Sequence, residues 1–460
     1  MKRILRLILI FTILIPCVWV ALHKFEGAKP QIEIKIPSVY LKKEYEISLN
    51  ISDQRTGLRK TVVSIMQQGK EKLLLEKTYA QPDVFRRMTG PVKTEDNFII
   101  PVQYWKYGMT DGEAALRIMV SDYSWRGWNK GNIGYLEKKV IIDTIAPQLT
   151  VLSKQHNIEQ GGSGLVIYRV FEADVKSGIQ VGENFFPGRS GVFENQYIHT
   201  AFFALDHLQG PGTQLSVVAE DQAGNITKRG FHHYIRARKL KKDTLNITDR
   251  FLEQKISAFD FGTENNTFQE IKNPLLEKFL FVNEDVRKQN IEKILSIPSL
   301  SGNKWYWEGR FARQKGAVRR SGFADRRVYK YKGKEIDKAV HLGIDLASTA
   351  NAPVRAANSG RVIFAQFEGI FGNTVIIDHG FGLCSLYAHL NRMTVKKGDM
   401  IRKLDDIGFT GQTGLAGGDH LHFSMIVHNT FVNPIEWWDS RWIKNNITSK
   451  IKKIKQAPNK

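Results

Sequence analysis

The chain has 460 residues, of which 42% are hydrophobic and 25% are charged. This length and apolar content predict several domains that fold on hydrophobic cores. The two cysteines, Cys17 and Cys384, exclude a scaffold stapled by several disulfides. The formal net charge of +21 favours partners that carry negative charge.

The first residues have the pattern of an export signal. Three basic residues precede an apolar stretch over residues 7–22, and basic residues on that side favour an N-terminus retained in the cytoplasm. These basic residues are Lys2, Arg3 and Arg6. No small-x-small cleavage motif follows, because Trp19 stands where a small residue is needed. We therefore predict an uncleaved signal anchor over residues 1–24, with a cleaved signal peptide as the alternative.

Export limits which negatively charged molecules the protein can meet. An exported protein seldom meets nucleic acid, so the expected partners are anionic wall polymers and the acidic surface of the inner membrane. Within the basic tail over residues 443–460, the part from Ser449 is predicted to be a frayed, solvated end, and a role at a membrane surface is the alternative.

The segment after the anchor contains an internal repeat. A five-residue string with Asp first and Gly last occurs at 53–57 and again at 174–178, each time after an alternating apolar run. Strands punctuated by turn residues at this spacing predict a mainly β fold with two immunoglobulin-like β-sandwiches, over residues 28–144 and 145–237. The repeated Asp side chains are expected to form Asx-turns, and calcium binding is the alternative.

Residues 238–300 change in character and are predicted to be a helical linker. A helix is expected over 283–295, with Asn283 as its N-cap and Pro298 beyond its end. We interpret the segment as a spacer that positions the following domain. The alternative is a lid that covers a groove of that domain until a partner removes it.

Two strings within residues 301–442 carry groups suited to a metal ion. His420-Leu-His422 lies in a strand-like run, so its two imidazoles share one face. His341 and Asp345 lie four apart around a glycine, which predicts a turn into a strand rather than a helix face. Two imidazoles and a carboxylate suit an open zinc site, in which three protein ligands leave the fourth position for water.

A third string, which ends in Tyr-Ala-His389-Leu, completes a series of ordered motifs over about 340–437. This region resembles the lysostaphin-type, or LytM-like, zinc endopeptidases that cut peptidoglycan cross-bridges, and the resemblance is confined to the C-terminal part of the chain. The matching strings, in the family's order, are His341-Leu-Gly-Ile-Asp345, Pro353-Val-Arg-Ala-Ala, Gly360-Arg-Val, Gly372-Asn373, Ile377-Asp-His-Gly380, Leu386-Tyr-Ala-His389-Leu, Lys397-Gly398, Gly408, Gly411-Gln-Thr-Gly414, His420-Leu-His422-Phe423 and Asn433-Pro434.

Carried over residue by residue, the resemblance implies that His341, Asp345 and His422 bind zinc. It also implies that His389 and His420 are the catalytic imidazoles of an antiparallel-β peptidase domain over residues 301–442. The sequence departs from the family at Ser424, where many relatives carry an acidic residue. This departure concerns the groups that orient His422.

Amide hydrolysis at such a site needs a base, a group that stabilises the oxyanion, and an acid for the leaving amine. The chain has no His-Glu-x-x-His string, so the base is expected to be an imidazole. We assign His420 as base and acid and His389 as the oxyanion group, with exchanged roles as the alternative. Asn373 is a candidate substrate-binding residue, and a structural role in a turn is its alternative.

The sequence therefore predicts a membrane-anchored zinc endopeptidase, with its catalytic domain in the periplasm, that hydrolyses peptide cross-links of peptidoglycan. A non-catalytic LytM-like protein that binds the wall or activates another enzyme is the main alternative. A zinc protease that acts on extracellular proteins is a third hypothesis.

Overall fold

The computed structural model describes residues 2–42, 45–80, 93–257, 259 and 273–456. Strands outweigh helices in these residues, so the predicted mainly β class is confirmed. Contacts divide the chain into two compact units. The first comprises Met1–Ala146 with Glu220–Asn225, and the second comprises Pro147–Ala219 with Ile226–Lys460.

The first unit begins with a helix, α1, over Lys2–Lys24, which contains Pro16. Within the described part of the chain, no helix is both long enough and apolar enough to span a membrane. The predicted signal anchor is therefore not confirmed.

Two sheets build the rest of the first unit around one core. Strand β3 illustrates why each sheet has one face towards the core. Its residues Ile47, Leu49 and Ile51 are buried, and they alternate with exposed residues. The sheet orders are β1-β3-β6 and β2-β8-β7-β4-β5. The strands are β1 Gln31–Lys35, β2 Tyr40–Leu41, β3 Glu46–Ser52, β4 Leu58–Gln67, β5 Lys70–Thr78, β6 Glu95–Pro101, β7 Gly112–Asp122 and β8 Ile133–Ile142. Two packed sheets agree with a sandwich, but an immunoglobulin-like fold is not confirmed.

The Asx-turn predicted in the first copy of the repeat is confirmed. The Asp53 carboxylate accepts hydrogen bonds from the backbone N–H groups of Arg55, at 3.1 Å, and Gly57, at 2.7 Å. The side chain thereby pairs backbone donors at the start of β4, which is the role expected of Asp in a turn.

The second unit opens with nine short strands. They form sheets of order β14-β11-β9 and β13-β12-β15-β16, with a parallel pair β10-β17. The strands are β9 Leu149–Val151, β10 His156–Glu159, β11 Ser163–Val170, β12 Lys176–Val181, β13 Asn184–Pro187, β14 Ile198–Ala204, β15 Leu215–Glu220, β16 Ile226–Gly230 and β17 His233–Arg236.

The core of these strands continues into the C-terminal domain. Phe202 of β14 packs against Trp305 and Trp437, with ring centroids 5.4 and 5.9 Å apart. Strand β11 is buried on both faces, so it lacks the alternation typical of a sandwich strand. The segment predicted as a second separate sandwich thus shares one hydrophobic cluster with the C-terminal domain.

A buried carboxyl group joins the two parts of this core. Glu436 accepts hydrogen bonds from the backbone N–H of Ser163, at 2.9 Å, and from its hydroxyl, at 3.0 Å. Burial raises the pKa of Glu436 to about 8. Because this folded-state pKa lies above that of an unfolded chain, its stabilising effect is full below about pH 4.3 and is lost as pH rises towards 8.

We expect Glu436→Gln to remove this pH dependence, since the amide is uncharged at every pH and retains an acceptor oxygen. The difference between the two urea midpoints, variant minus unmodified chain, should therefore increase from pH 5 to pH 9. A difference that is constant over that range would show that Glu436 is ionised in the folded protein.

The segment predicted as a helical linker contains a strand as well as helices. Strand β18, Lys242–Ile247, pairs in parallel with β20, Arg326–Tyr331. Helix α2, Pro274–Phe281, continues through a π-helical turn into α3, Arg287–Ser296. Short helical segments flank these two helices at Asp249–Phe251, Leu252–Ile256 and Ile297–Leu300.

The predicted N-cap of this helix is wrong. Asn273 caps it ten residues earlier, with its side chain accepting from the Leu276 N–H and with Pro274 in the first turn. Asn283 instead lies buried inside the helix and contacts Asp337 and Arg287. The linker therefore packs on the domain that follows it.

The C-terminal domain is built on an antiparallel sheet of order β19-β22-β30-β26-β25-β24-β28, with β31 paired to β30. Smaller sheets β18-β20-β21 and β23-β29-β27 flank it. The remaining strands are β19 Val318–Ser321, β21 Lys334–Val340, β22 Ile344–Ala347, β23 Pro353–Arg355, β24 Gly360–Glu368, β25 Gly372–Gly380, β26 Leu383–Leu390, β27 Arg392–Met393, β28 Met400–Ile401, β29 Asp406–Phe409, β30 Leu421–Val427 and β31 Thr430–Val432.

The basic C-terminal segment is helical where the structure describes it, so the predicted frayed end is wrong there. Ile447 is fully buried and Lys450 donates to the Leu165 carbonyl at 3.0 Å. Ile447, Ile451 and Ile454 recur at helical spacing, and this face packs against the core. The helices are α4 Pro434–Trp438, α5 Ser440–Ile443, the π-helical Lys444–Thr448 and α6 Ser449–Lys455.

Candidate active site

The structure brings the three predicted metal ligands together. His341 follows β21, Asp345 lies on β22, and His422 lies on the adjacent strand β30, directly opposite Asp345 in the ladder. The His341 Nε2 atom lies 2.9 Å from Asp345 Oδ1 and 3.0 Å from His422 Nδ1, and the latter is 3.0 Å from the same carboxylate oxygen. The predicted turn from His341 into a strand is confirmed.

These three side chains fit a metal ion. A tetrahedral zinc ion with bonds of about 2.1 Å holds its ligand atoms roughly 3.4 Å apart. The observed separations of 2.9 to 3.0 Å are close to that value. Two imidazole nitrogens and one carboxylate oxygen also match the donors that zinc uses in open sites.

The remaining ring nitrogens are held by groups that set the tautomer of each ligand. His341 Nδ1 lies 2.9 Å from the Gly322 carbonyl, so this nitrogen carries the proton and Nε2 is free to coordinate. His422 Nε2 lies 3.0 Å from the Ser424 hydroxyl, which in turn donates to the Leu342 carbonyl at 2.9 Å. Ser424 therefore supplies the orienting contact at the position where many relatives carry an acidic residue.

Gly343 is needed for this close arrangement. A Cβ atom at Gly343 would lie 2.5 Å from His422 Nε2 and 2.5 Å from the Ser424 hydroxyl. Any side chain at this position would displace the ligand or the hydroxyl that orients it.

The two other histidines lie beside the triad. His420 Nε2 is 3.5 Å from Asp345 Oδ1, and the His389 and His420 rings are 4.9 Å apart. The prediction that His420 and His422 share a face is confirmed, with Leu421 between them buried in the core. His389 is the penultimate residue of strand β26 and has a φ of 62°, a left-handed conformation that few non-glycine residues adopt.

Backbone carbonyl groups orient both of these imidazoles. His389 Nδ1 lies 2.9 Å from the Thr413 carbonyl, and His420 Nδ1 lies 2.8 Å from the Gly418 carbonyl. Each Nδ1 therefore carries a proton, so in its neutral form each ring presents an unprotonated Nε2. This is the form that a general base requires.

Burial and charge tune the site. Burial alone would raise the pKa of Asp345, but the charge of His341 and the hydrogen bonds of the surrounding imidazoles hold it well below its usual range. Burial lowers the pKa of His422 to about 4, and burial with neighbouring imidazoles holds that of His389 well below its usual range. For His420, burial lowers the pKa but the contact with Asp345 raises it above the ordinary value. Neutral imidazole is the form that binds metal ions.

Asn373 lies near the site, but its amide is engaged within the chain. Its Nδ2 group donates to the carbonyls of Leu390 at 3.0 Å and Asn391 at 3.2 Å. These bonds hold the segment that follows His389, which supports the structural alternative, and a role in substrate binding stays a prediction.

The triad opens into a cavity of about 450 Å³. The linker segment supplies much of its wall, through residues of β18, α2 and α3. The wall also contains Arg327, whose Nη2 donates to Asp345 Oδ2 at 2.8 Å. Sequence reasoning missed Arg327 because its partner lies 18 residues away and no motif connects the two. The cavity-lining residues from the linker are Leu245, Asn246, Ile247, Thr248, Phe251, Phe279, Arg287 and Ile291.

Comparison with known proteins agrees with this geometry. The family described as Peptidase family M23 matches residues 339–434. The DD-carboxypeptidase/endopeptidase Mpg of Neisseria meningitidis is 40% identical over 96 residues, which is 21% of this chain and 22% of that protein. The peptidoglycan DD-endopeptidase ShyB of Vibrio cholerae is 33% identical over 116 residues, which is 25% of this chain and 26% of that protein.

Among solved structures, the catalytic domain of lysostaphin from Staphylococcus simulans is 26% identical and covers 28% of this chain and 98% of that chain, with a TM-score of 0.24. The matches to the curated relatives span only about a quarter of their lengths. The matched residues contain the complete triad together with His389 and His420. The C-terminal part of this chain is therefore a domain of peptidase family M23, of the lysostaphin type.

Proposed function

We propose that the chain is a zinc endopeptidase that hydrolyses peptide cross-links of bacterial peptidoglycan. The observation that carries this proposal is the convergence of His341 Nε2, Asp345 Oδ1 and His422 Nδ1 within 3.0 Å of one another, with two further imidazoles beside them. The sequence relatives named as peptidoglycan DD-endopeptidases support the substrate class.

The residues present suit the steps of amide hydrolysis. Zinc in such a site supplies Lewis-acid chemistry, namely activation of a water molecule and polarisation of a carbonyl group. His420 takes the proton from the attacking water through its unprotonated Nε2 and returns it to the leaving amine. The negative charge of the oxyanion favours protonation of His389 by solvent, and the resulting Nε2–H donates a hydrogen bond to the oxyanion. The reverse assignment of the two imidazoles is the alternative.

The main rival function is that of a non-catalytic protein that binds the wall or activates another enzyme. That function does not require two oriented imidazoles beside a complete set of ligands, and this chain has both. A zinc protease for extracellular proteins would use the same site and would differ only in its substrate.

Digestion of purified peptidoglycan separates these functions. With zinc bound, the protein should release muropeptides of lower cross-linking. Treatment with a chelator should abolish the release, because it removes the zinc ion from its three side-chain ligands. Added zinc should restore the release. A zinc-loaded protein that leaves peptidoglycan intact would support the non-catalytic function. Cleavage of a denatured protein but not of peptidoglycan would support the third function.

We also propose that the chain is exported and remains attached to the inner membrane through residues 1–24. Support comes from the three basic residues that precede the apolar stretch, and the excess of positive charge suits an anionic wall. A periplasm-dependent reporter fused after Lys460 should be active, and the full-length protein should sediment with membranes. Recovery of a soluble form that starts near Gly27 would show a cleaved signal instead.

A further inference from the structure

Two arginines, Arg287 and Arg327, line the cavity that holds the candidate metal ligands. Arg287 begins helix α3 of the linker segment, and Arg327 lies on strand β20. The two residues are remote in sequence and meet only because β18 and the linker helices pack on the C-terminal domain.

Arg327 is only partly paired. Its Nη2 donates to Asp345 Oδ2 at 2.8 Å, while its Nε atom is buried and has no hydrogen-bond partner in the described part of the chain. A buried donor without an acceptor is unfavourable, since it has lost its water and gained nothing in return. The Arg327 side chain therefore has a donor available for another acceptor within the cavity wall.

The hydrogen-bond partners of Arg287 are neutral groups. Its guanidinium donates to the Asn283 side-chain oxygen at 2.5 Å and lies 3.5 Å from the Tyr329 hydroxyl. No acidic side chain of the described residues forms an ion pair with it. Burial lowers the pKa of Arg287, Tyr329 and Asp337 raise it, and the nearby charge of Arg327 lowers it. A guanidinium stays charged in proteins, so this charge has Asp337 nearby but no carboxylate in direct contact among the described residues.

We propose that Arg287 and Arg327 bind a free carboxylate of the substrate peptide, close to the bond that is cut. A guanidinium presents a planar fork of donors that matches a carboxylate. A substrate carboxylate would give Arg287 a counter-charge in direct contact and would give the Arg327 Nε group an acceptor. This inference rests on the proposed function and specifies its substrate class. The substrates are stem peptides that carry carboxylates near the scissile amide, rather than cross-bridges built from neutral residues alone.

The same inference gives the linker a role. Because Arg287 belongs to residues 238–300, this segment contributes to substrate recognition and is more than a spacer. Removal of the segment would then impair cleavage, whereas removal of a lid would increase it.

The first experiment needs no variant. Cross-linked muropeptides are prepared in two forms, one with free carboxyl groups and one with these groups converted to methylamides, and kcat/KM is measured for both with the zinc-loaded protein. We expect the free form to be preferred by about tenfold or more, as for hydrogen bonds to charged groups. If neither form is cleaved, the proposed function fails. If both are cleaved equally, the proposed function stands and the carboxylate site is refuted.

The second experiment assigns the preference to Arg287. Arg287→Gln should lower kcat/KM for the free form about tenfold and leave the methylamide form nearly unchanged, so that the preference disappears. Arg287→Lys should restore part of it. Arg361→Gln is the matched control, since it removes an exposed arginine of the same domain that does not line the cavity. A preference that survives in a zinc-loaded Arg287→Gln protein would exclude Arg287 and leave recognition to other groups.

Discussion

Alanine at His341, Asp345 or His422 is expected to abolish tight zinc binding, and with it the hydrolysis of peptidoglycan. The reason is geometric, since the three ligand atoms lie 2.9 to 3.0 Å apart and no fourth protein ligand replaces a lost one in the described set. The unmodified protein should retain about one zinc ion per chain after dialysis, as an open three-ligand site does. Metal analysis of the purified proteins measures the difference directly.

Two further variants sharpen this experiment. His232→Ala is the matched control, because His232 is exposed and lies outside the site, so both zinc and activity should be retained. Ser424→Ala should weaken zinc affinity about tenfold to a hundredfold, since it removes the hydroxyl that orients His422. Retention of one zinc ion by all three ligand variants would refute the assigned site.

Alanine at His389 or His420 should produce the opposite combination, namely retained zinc and lost catalysis. Neither imidazole belongs to the triad, although His420 Nε2 lies 3.5 Å from Asp345 Oδ1. We expect a fall in kcat of about a hundredfold or more for each variant, the usual effect of removing a general acid–base or oxyanion group. Zinc content and kcat are measured on the same preparation, so that metal loss is not mistaken for a catalytic defect.

The pH dependence of the residual activity separates the two roles. The variant that lacks the base should lose the acidic limb of the profile of kcat/KM against pH, whereas the variant that lacks the oxyanion group should retain it. Loss of that limb in His389→Ala rather than in His420→Ala would exchange the two assignments. Near-normal turnover by either variant would remove that residue from the mechanism.

Several features of this protein were predictable because they depend on local spacing. The period of a strand places His420 and His422 on one face, and the glycine at 343 breaks any helix between His341 and Asp345. The Asx-turn at Asp53 is likewise a local hydrogen-bond pattern. The start of α2 was also predictable, since Asn273 followed by Pro274 is a helix N-terminus signature. The prediction of Asn283 as the N-cap did not use this signature.

The remaining features depend on contacts between distant parts of the chain. The segment predicted to be a frayed end is helical because a face of isoleucines packs against the core of the second unit. The residues of that core are distant in sequence, so the local sequence does not predict this contact. The second predicted sandwich shares its core with the C-terminal domain because Phe202 meets Trp305 and Trp437, more than 100 residues away in the printed sequence.

Local spacing was enough to nominate His341, Asp345 and His422 as candidate ligands, and the family resemblance nominated His389 and His420 as candidate catalytic imidazoles. The surroundings of these residues depend on the tertiary fold. The Ser424 relay to the Leu342 carbonyl, the arginines of the cavity wall and the linker packed on the site all require chain segments to meet across long separations. Such meetings follow from the burial of shared apolar surface, and that burial depends on the whole fold rather than on any one segment.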